Sequence, residues 1–130
     1  MPNTVTQQTL WGSASTKRVI RAIHLVSDGS EETDLVVYDN SAFVANTGVG
    51  RLIRAEIHGA FTGAVRLEWD QSTDAPICSL GANDYKVCYR KIGGHVNPAG
   101  TGATGDIVLT TTALANLDEF TLIIEVEQTA

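Results

Sequence analysis

The chain has 130 residues, which is the size of one domain and enough to bury a core without metal ions or disulfides as staples. Nine Lys and Arg residues against fifteen Asp and Glu residues give a formal net charge of −6, so phosphate backbones and anionic membrane surfaces would repel most of this protein. No stretch approaches the roughly 20 apolar residues of a membrane span or the apolar run of a signal peptide, so we expect a soluble chain made in the cytosol, with no nucleic acid and no membrane as partner.

The first eighteen residues are polar, rich in Thr and Gln, and interrupted by Gly12. We predict an extended N-terminal arm over residues 1–18, ahead of a single domain over residues 19–130. Trp11 is the only large anchor of this arm, and a Trp on an otherwise polar arm is typical of a residue that docks into a pocket on a neighbour. A frayed terminus is the alternative. Leu10 and Trp11 are therefore candidate partner contacts.

The rest of the chain shows β-strand signals, which are short runs rich in Val, Ile, Leu and Thr separated by turn residues. They predict about eight strands, in the runs VIRAIHLV (19–26), LVVYD (35–39), RLIRAEIHGAF (51–61), AVRLEWD (64–70), APICSL (75–80), YKVCYRKI (85–92), DIVLTTT (106–112) and FTLIIEVEQ (120–128). No stretch keeps the apolar spacing of a helix, so helix is limited to at most a turn within residues 113–120. We predict an all-β fold, an antiparallel β-sandwich of the Greek-key or jelly-roll type.

Several strands alternate between apolar and polar side chains, which predicts one face in the core and one in water. The apolar sets are Ile53, Ala55 and Ile57, then Val65, Leu67 and Trp69, and finally Leu122, Ile124 and Val126. The strand at 19–26 is apolar on both sides, with Val19, Ile23 and Leu25 on one side and Ile20, Ala22 and Val26 on the other. Two explanations stay open: a central place in a closed sandwich, or burial of the second side against another protein subunit.

Residues 100–105 read GTGATG and match the G-x-G-x-x-G spacing of dinucleotide-binding loops. In those folds a helix follows the loop, and its N-terminus receives the pyrophosphate. Here the β-branched run at 106–112 follows instead, so we predict a plain loop with glycines at positive φ, and no cofactor. The start of this long connection supplies further candidate partner contacts, which are His95, Val96, Asn97 and Pro98.

Candidate catalytic and zinc-binding side chains are few and scattered. His24 and His58 lie in strands more than thirty positions apart, and His95 lies in a Gly-rich loop, so no pair has the short spacing of a zinc motif. Glu68 and Asp70 share one strand face, and nothing identifies the second, facing acid that glycoside hydrolysis would need. We predict no metal site and no enzymatic activity.

The acidic run Asp28, Glu31, Glu32 and Asp34 offers the oxygen ligands that calcium prefers. It lacks the alternating order that wraps a chain around the ion. We therefore predict a solvated turn at the tip of a hairpin.

Cys78 and Cys88 flank the stretch SLGANDYKV. If Asn83 were the centre of a hairpin turn, the two cysteines would sit opposite each other, and a disulfide would be geometrically possible. In a reducing cytosol two buried free thiols are favoured instead.

Four motifs in the second half of the chain follow one another in a specific order. They are a strand with R-L-E-W (Arg66–Trp69), a Gly/Asn loop (Gly93–Gly105), a G-D-I strand ending in threonines (Gly105–Thr112) and a final apolar strand (Phe120–Gln128). In this order, over roughly residues 50–128, the chain resembles small virion structural proteins of tailed bacteriophages.

The resemblance implies a β-sandwich that decorates, or cements, the outside of a capsid by bridging major capsid protein subunits, with a trimer or another symmetric homo-oligomer as its usual state. It also implies synthesis in the host cytoplasm and a place on the exterior of the virion. A tail or portal junction protein is one alternative. A carbohydrate-binding module is another, for which the only aromatic candidates are Trp11, Trp69, Tyr85 and Tyr89, and Trp69 shares the apolar face of its strand.

Overall fold

The computed structural model describes residues 3–12, 16–43, 50–81, 85–96, 98 and 100–128. These residues form ten strands and two short 3-10 turns, at Asn40–Phe43 and Arg90–Ile92. The strands are β1 (Thr4–Trp11), β2 (Arg18–Asp28), β3 (Leu35–Tyr38), β4 (Gly50–Ala60), β5 (Ala64–Trp69), β6 (Ala75–Leu80), β7 (Tyr85–Cys88), β8 (His95–Val96), β9 (Ile107–Thr112) and β10 (Asn116–Gln128). No helix among the described residues is long and apolar enough to cross a membrane.

The strands form two antiparallel sheets that pack face to face. Sheet A has six strands in the order β1-β2-β10-β4-β7, with β8 also paired to β4, and sheet B has the order β3-β9-β5-β6. The chain passes repeatedly between the sheets, so most contacts join residues that are distant in sequence. The predicted all-β, antiparallel β-sandwich is confirmed.

The core lies between the sheets and is built from the apolar side of each alternating strand. All nine side chains of the three predicted apolar sets are buried, with at most 4% of any of them exposed. Val19, Ile23 and Leu25 of β2 join them with no exposed surface. The alternation of apolar and polar residues predicted these core positions correctly, because every second side chain of a strand points to the same face and the apolar face is buried.

The predicted boundary between an arm at 1–18 and a domain at 19–130 is wrong over β1. Residues Thr4–Trp11 are extended, as expected, but they pair antiparallel with β2 from Thr4↔Val26 to Trp11↔Ile20. This Thr- and Gln-rich segment shows little hydrophobic alternation, but its backbone hydrogen bonds to β2 are enough to order it as a strand. The first described residues are therefore an edge strand of the sandwich.

Two other predicted elements also differ in detail. The run at 85–92 is a strand only as far as Cys88 and then turns through Arg90–Ile92, where the Gly93 backbone takes φ +83°. In the stretch at 113–120 only residues 113–115 form a turn, and β10 begins at Asn116, earlier than predicted. Ala113 in the turn and Leu117 at the register shift of β10 adopt positive φ, at 59° and 71°.

The corner from β4 to β5 takes the chain from sheet A to sheet B. Phe61 buries its ring against Phe120, with 5.6 Å between the ring centroids. The Asp118 carboxylate accepts hydrogen bonds from the backbone N–H groups of Thr62 (2.9 Å) and Ala115 (2.8 Å). These contacts hold the corner in one conformation.

Replacing Gly63 with alanine is expected to lower the free energy of unfolding by about 1–3 kcal/mol. Gly63 has φ +84°, and an added Cβ would overlap the carbonyl oxygen of Thr112. Gly81 is the matched control, since its Cβ would meet nothing within 4 Å, and we expect Gly81→Ala to change that free energy by at most about 0.5 kcal/mol. Urea unfolding of both variants measures the difference, and equal midpoints would contradict the predicted strain.

Candidate interaction surface

The outer face of sheet A is the side that points away from sheet B. In the part of the chain that the structure describes, no element packs across this face. Ile20, Ala22, Val26 and Ile123 point outward here and are half-buried, whereas the apolar side chains on the opposite side of the same strands are buried. The place of β2 inside the sandwich therefore explains its apolar side that faces the core, but not its apolar side that faces outward.

A depression of about 290 Å³ lies on this face, toward its β1 edge. Its lining residues are Thr6, Gln8, Ala22, His24 and Thr121, which come from β1, β2 and β10. Most of the lining surface is apolar, although four of these five residues carry hydrogen-bonding groups. Such a surface suits contact with another protein.

The two strand histidines lie in one row of this face. The register aligns Thr6, His24, Thr121 and His58 across four neighbouring strands. His24 Nδ1 lies 3.1 Å from Thr121 Oγ1, and its Nε2 lies 3.6 Å from a Glu119 carboxylate oxygen. Sequence spacing missed this row because β10, which separates the two histidines, comes last in the chain.

A buried carboxylate, Glu125, lies at one end of the face and is only 3% exposed. Its two oxygens accept hydrogen bonds from Arg54 Nε and Arg90 Nη2, each at 2.9 Å, and Arg18 Nη1 lies 4.0 Å away. Burial alone would raise the pKa of Glu125, but the hydrogen bonds and charges of Arg54 and Arg90 outweigh it, and the pKa is lowered. Glu125 is therefore ionised and fixed at neutral pH.

The ion pairs continue toward His58. Arg54 Nη1 donates to Glu56 Oε2 at 2.7 Å, and Glu56 Oε1 lies 3.1 Å from His58 Nε2. The hydrogen bond with His58, followed by the charge of Arg54, lowers the pKa of Glu56. We call the set Arg18, Arg54, Glu56, Arg90 and Glu125 the outer-face ion network. Its three arginines and two glutamates make this end of the face locally positive in a protein of net charge −6.

The predicted partner contacts lie at this same end of sheet A, but not all face outward. Leu10 and Trp11 are 48% and 56% exposed at the end of β1, and Val96 is 48% exposed on β8, across the sheet. Pro98 is exposed. Asn97 lies outside the described residues.

His95 points inward, toward the core. The Trp69 indole N–H donates to His95 Nδ1 at 3.1 Å, and the Tyr89 ring meets the imidazole edge-on, with centroids 5.2 Å apart. Burial lowers the pKa of His95. The neutral ring with its proton on Nε2 satisfies the Trp69 hydrogen bond, so His95 has a structural role. Trp69 itself has no exposed surface and is unavailable to a sugar ring.

The lowered pKa of His95 predicts that acidification destabilises the fold. In the unfolded chain His95 binds a proton with the ordinary pKa of 6.5, whereas in the folded chain it binds the proton only at lower pH. The contribution of the neutral ring to stability is therefore complete above pH 6.5 and is lost as the pH falls through the pKa of the folded state. We expect the unfolding free energy to fall between pH 7.5 and 5.5, and to fall less in His95→Gln. Urea unfolding at the two pH values measures both slopes, and equal slopes would contradict this assignment.

The outer side of sheet B holds the clustered carboxylates. The carboxylates of Asp34, Glu68 and Asp74 have oxygens within 4.8 Å of one another and could offer ligands to a cation. The shared hydrogen bond with Asp74, then burial and the charges of neighbouring carboxylates, raises the pKa of Asp34. The sequence did not show that Glu68 and Asp74 join Asp34 in one cluster, because they come from β5 and from the turn before β6.

The other acidic residues of the 28–34 run have separate roles. Glu31 accepts hydrogen bonds from Thr111 Oγ1 at 2.7 Å and from the Leu114 N–H at 3.0 Å. Asp28 accepts from the backbone N–H of Ser30 at 3.0 Å. The run connects β2 of sheet A with β3 of sheet B, and Glu31 ties it to β9. The predicted hairpin tip is therefore wrong, although most of the run is exposed.

The two cysteines lie in different sheets, so the hairpin that a disulfide between them would need does not form. Cys78 pairs with Leu67 in sheet B, and Cys88 pairs with Arg54 in sheet A. Both are free thiols, as predicted. The expected burial is wrong, because Cys88 is exposed and Cys78 is only half-buried, although its partial burial raises the pKa of the thiol.

The Gly-rich stretch at 100–105 is a loop packed on the turn between β5 and β6. Thr104 Oγ1 donates to Asp70 at 2.9 Å, and the Gly100 N–H donates to the Gln71 side chain at 3.0 Å. Gly102 and Gly105 have φ of +76° and +83°, and β9 follows directly. The predicted plain loop is confirmed.

No family model matches this sequence, and no curated protein matches it. Several solved structures are similar in shape. A cupin-2 domain from Rhodospirillum rubrum has 11% identity and a TM-score of 0.34, over 100% of this chain and 66% of that one. A family 29 carbohydrate-binding module has 13% identity and a TM-score of 0.38, over 98% and 87%.

A third similar structure is the pair of CBM22-1 and GH10 modules of an endo-1,4-β-D-xylanase from Clostridium thermocellum. Its identity is 10% and its TM-score 0.40, over 98% of this chain and 26% of that one. At these values the similarity says nothing about function.

Proposed function

We propose that this protein is a non-enzymatic structural protein of a virion, which decorates the outside of a tailed-phage head and bridges neighbouring major capsid protein subunits. The order of the four motifs from Arg66 to Gln128 suggests the class of protein. The observation that favours a binding role is the outer face of sheet A. It combines half-buried apolar side chains with exposed Trp11 and an ion network, and no described element covers it.

The composition of this face suits a protein partner. Interfaces are richest in aromatic residues and arginine, with apolar side chains at the centre and charges at the rim. Here Ile20, Ala22 and Ile123 lie in the middle of the face, with Trp11 at its edge. The Arg18 and Arg90 side chains, 49% and 57% exposed, offer guanidinium groups to carboxylates on a partner.

The rigidity of the face supports the same role. Sheet A is held by long antiparallel pairings, and the buried Glu125 fixes two arginines in place before any partner arrives. A pre-ordered surface loses little conformational entropy on binding, which favours affinity. Side chains that could act as acids or bases here, such as Glu125, are engaged in holding this surface.

Decoration would stabilise a capsid through mass action. A domain that binds the assembled shell, but not its separate subunits, shifts the equilibrium toward the shell by an amount that grows with its concentration. A homo-oligomer that contacts several subunits at once multiplies weak contacts through valency. Neither step requires catalysis.

Quantitative mass spectrometry of purified phage particles tests the proposal. We expect about one copy of this chain, or more, per several copies of the major capsid protein, because only repeated shell sites offer so many equivalent contacts. A few copies to about a dozen per particle would assign the chain to the tail or portal. Absence from the particle would refute a virion role.

A further inference from the structure

Strand β1 forms one edge of sheet A. Its sequence, TVTQQTLW, spans eight residues without a charged residue or a proline. On the side away from β2, backbone N–H and C=O groups of an edge strand are open to a new strand. Thr6, Gln8, Leu10 and Trp11 are exposed along it.

The other edge strands of the described fold are protected. The β6 edge contains Pro76, β7 has only four residues, one of them Lys86, and β8 has only two residues. Side chains of β1 and β2 cap carbonyl groups of the β3 edge: Gln7 Nε2 donates to the Val36 carbonyl at 3.1 Å, and Arg21 Nε donates to the Val37 carbonyl at 3.2 Å. Proline, charge and short length prevent strand addition, and β1 has none of them; its one irregularity is a bulge between Thr9 and Trp11, at its end.

Side-chain contacts hold β1 in an extended conformation along its length. Asn3 Oδ1 accepts a hydrogen bond from the Asp28 N–H at 2.9 Å, just before the strand. Arg21 donates to Gln7 Oε1 at 2.8 Å and to Thr9 Oγ1 at 2.9 Å. The edge is therefore ordered before a partner binds, and adding a strand to it costs little conformational entropy.

We infer that β1 pairs antiparallel with β1 of a second copy of this chain, which joins two A sheets into one continuous sheet. The absence of charge on β1 determines where a second copy can approach. Two molecules of net charge −6 repel each other over most of their surfaces, and this repulsion is weakest at the uncharged β1 edge. A strand related to itself by a two-fold axis pairs antiparallel, as the geometry of the sheet requires.

The two-fold axis restricts the register. It runs perpendicular to the sheet and keeps the two outer faces on the same side, so opposed residues must belong to the same face. Two registers under this rule pair seven of the eight residues of β1, one centred on Gln7 and one on Gln8. The first keeps the bulge near Trp11 at the end of the paired segment and puts Thr6 opposite Gln8. The Thr6 and Gln8 side chains can hydrogen-bond across the strands, and no like charges meet.

This contact produces a pair of subunits rather than the trimer that the resemblance implies. It does not rest on the proposed virion function, since it concerns the isolated chain. The face lined by Thr6 and Gln8 would become continuous across the pair, which doubles the surface available to a capsid or to any other partner.

Analytical ultracentrifugation of the full chain tests the inference. The wild type, with a chain mass of 13.9 kDa, is expected to sediment as a dimer at tens of micromolar concentration. In the double variant Thr6→Lys, Gln8→Lys the lysines would face those of the other copy, and we expect the dissociation constant to rise about 100-fold. The double glutamate variant should also be monomeric, and mixing the two variants should restore a heterodimer.

The matched control is Thr73→Lys, Ser79→Lys, which adds the same charge at exposed positions near β6. Both lysine variants lower the net negative charge, so a general charge effect would weaken the repulsion between copies and strengthen association in both. We expect the control to dimerise like the wild type, and each variant to keep the wild-type melting temperature within a few degrees. A monomeric or trimeric wild type, or a Thr6→Lys, Gln8→Lys variant that dimerises like the control, would overturn the inference.

Discussion

Replacing Trp69 with alanine is expected to lower the free energy of unfolding by about 3–5 kcal/mol, a large part of the roughly 5–15 kcal/mol typical of a domain. Trp69 is among the largest fully buried side chains, and its indole N–H is bonded to His95 Nδ1. The substitution leaves a cavity in the core and removes the hydrogen-bond donor of a half-buried ring. Urea unfolding followed by circular dichroism measures the loss without relying on the missing fluorophore.

The second tryptophan is a matched control for this substitution. Trp11 is 56% exposed at the edge of sheet A, and we expect Trp11→Ala to change the unfolding free energy by at most about 0.5 kcal/mol. Trp69→Phe should lie between the two, because it keeps an aromatic ring but loses the N–H group. Similar losses for Trp69→Ala and Trp11→Ala would contradict the placement of Trp69 in the core.

Replacing Glu125 with alanine is expected to lower the free energy of unfolding by about 2–3 kcal/mol at neutral pH. This loss is smaller than that for breaking a fully buried ion pair, because solvent reaches Arg90. The change leaves Arg54 and Arg90 without the carboxylate that their guanidinium groups bind. Removing one partner of a buried pair costs more than the pair contributes, since the remaining charge stays desolvated. Thermal and urea unfolding of the variant check the loss.

Glu127 is the control, two residues further along the same strand and on the same face. It is not fully buried, and Glu127→Ala should cost less than about 1 kcal/mol. The pKa of Glu125 is lower in the folded chain than its ordinary value of 4.5. The stabilisation from the ionised carboxylate is therefore complete above pH 4.5 and is lost as the pH falls through the pKa of the folded state. The gap between wild type and Glu125→Ala should therefore shrink in acid, and a gap that grew would contradict the ion network.

The core could be predicted from the sequence because its signal is local. Each set, such as Val65, Leu67 and Trp69, alternates within one strand, and the requirement to bury one face acts on that strand alone. The plain loop at 100–105 was predictable for the same reason, since the β-branched residues that follow exclude a helix. The two apolar sides of β2 were also visible in the sequence, but the pattern left open whether the second side is covered by the sandwich or by another subunit.

The interaction surface could not be assembled from the sequence because its residues meet only through strand pairing. β10 lies between β2 and β4, and no local pattern shows that the last strand separates His24 from His58. The hydrogen bonds of the Glu125 carboxylate join residues up to 71 positions apart, the distance in sequence from Arg54. Strand β1 was missed because Thr and Gln give little hydrophobic alternation, and its order depends on partners such as Arg21.

Binding of the purified chain to shells of the major capsid protein tests the role of the outer face most directly. The variants are Ala22→Glu, which puts a charge in the centre of the outer face of sheet A, and the control Thr112→Glu, at an exposed position on sheet B. Co-sedimentation over a concentration series gives the affinities, with melting temperatures confirming that both variants fold. We expect saturable binding of the wild type and of Thr112→Glu, and binding at least about tenfold weaker for Ala22→Glu. Equal binding of all three proteins, or no binding of the wild type, would contradict the assignment of this face to capsid decoration.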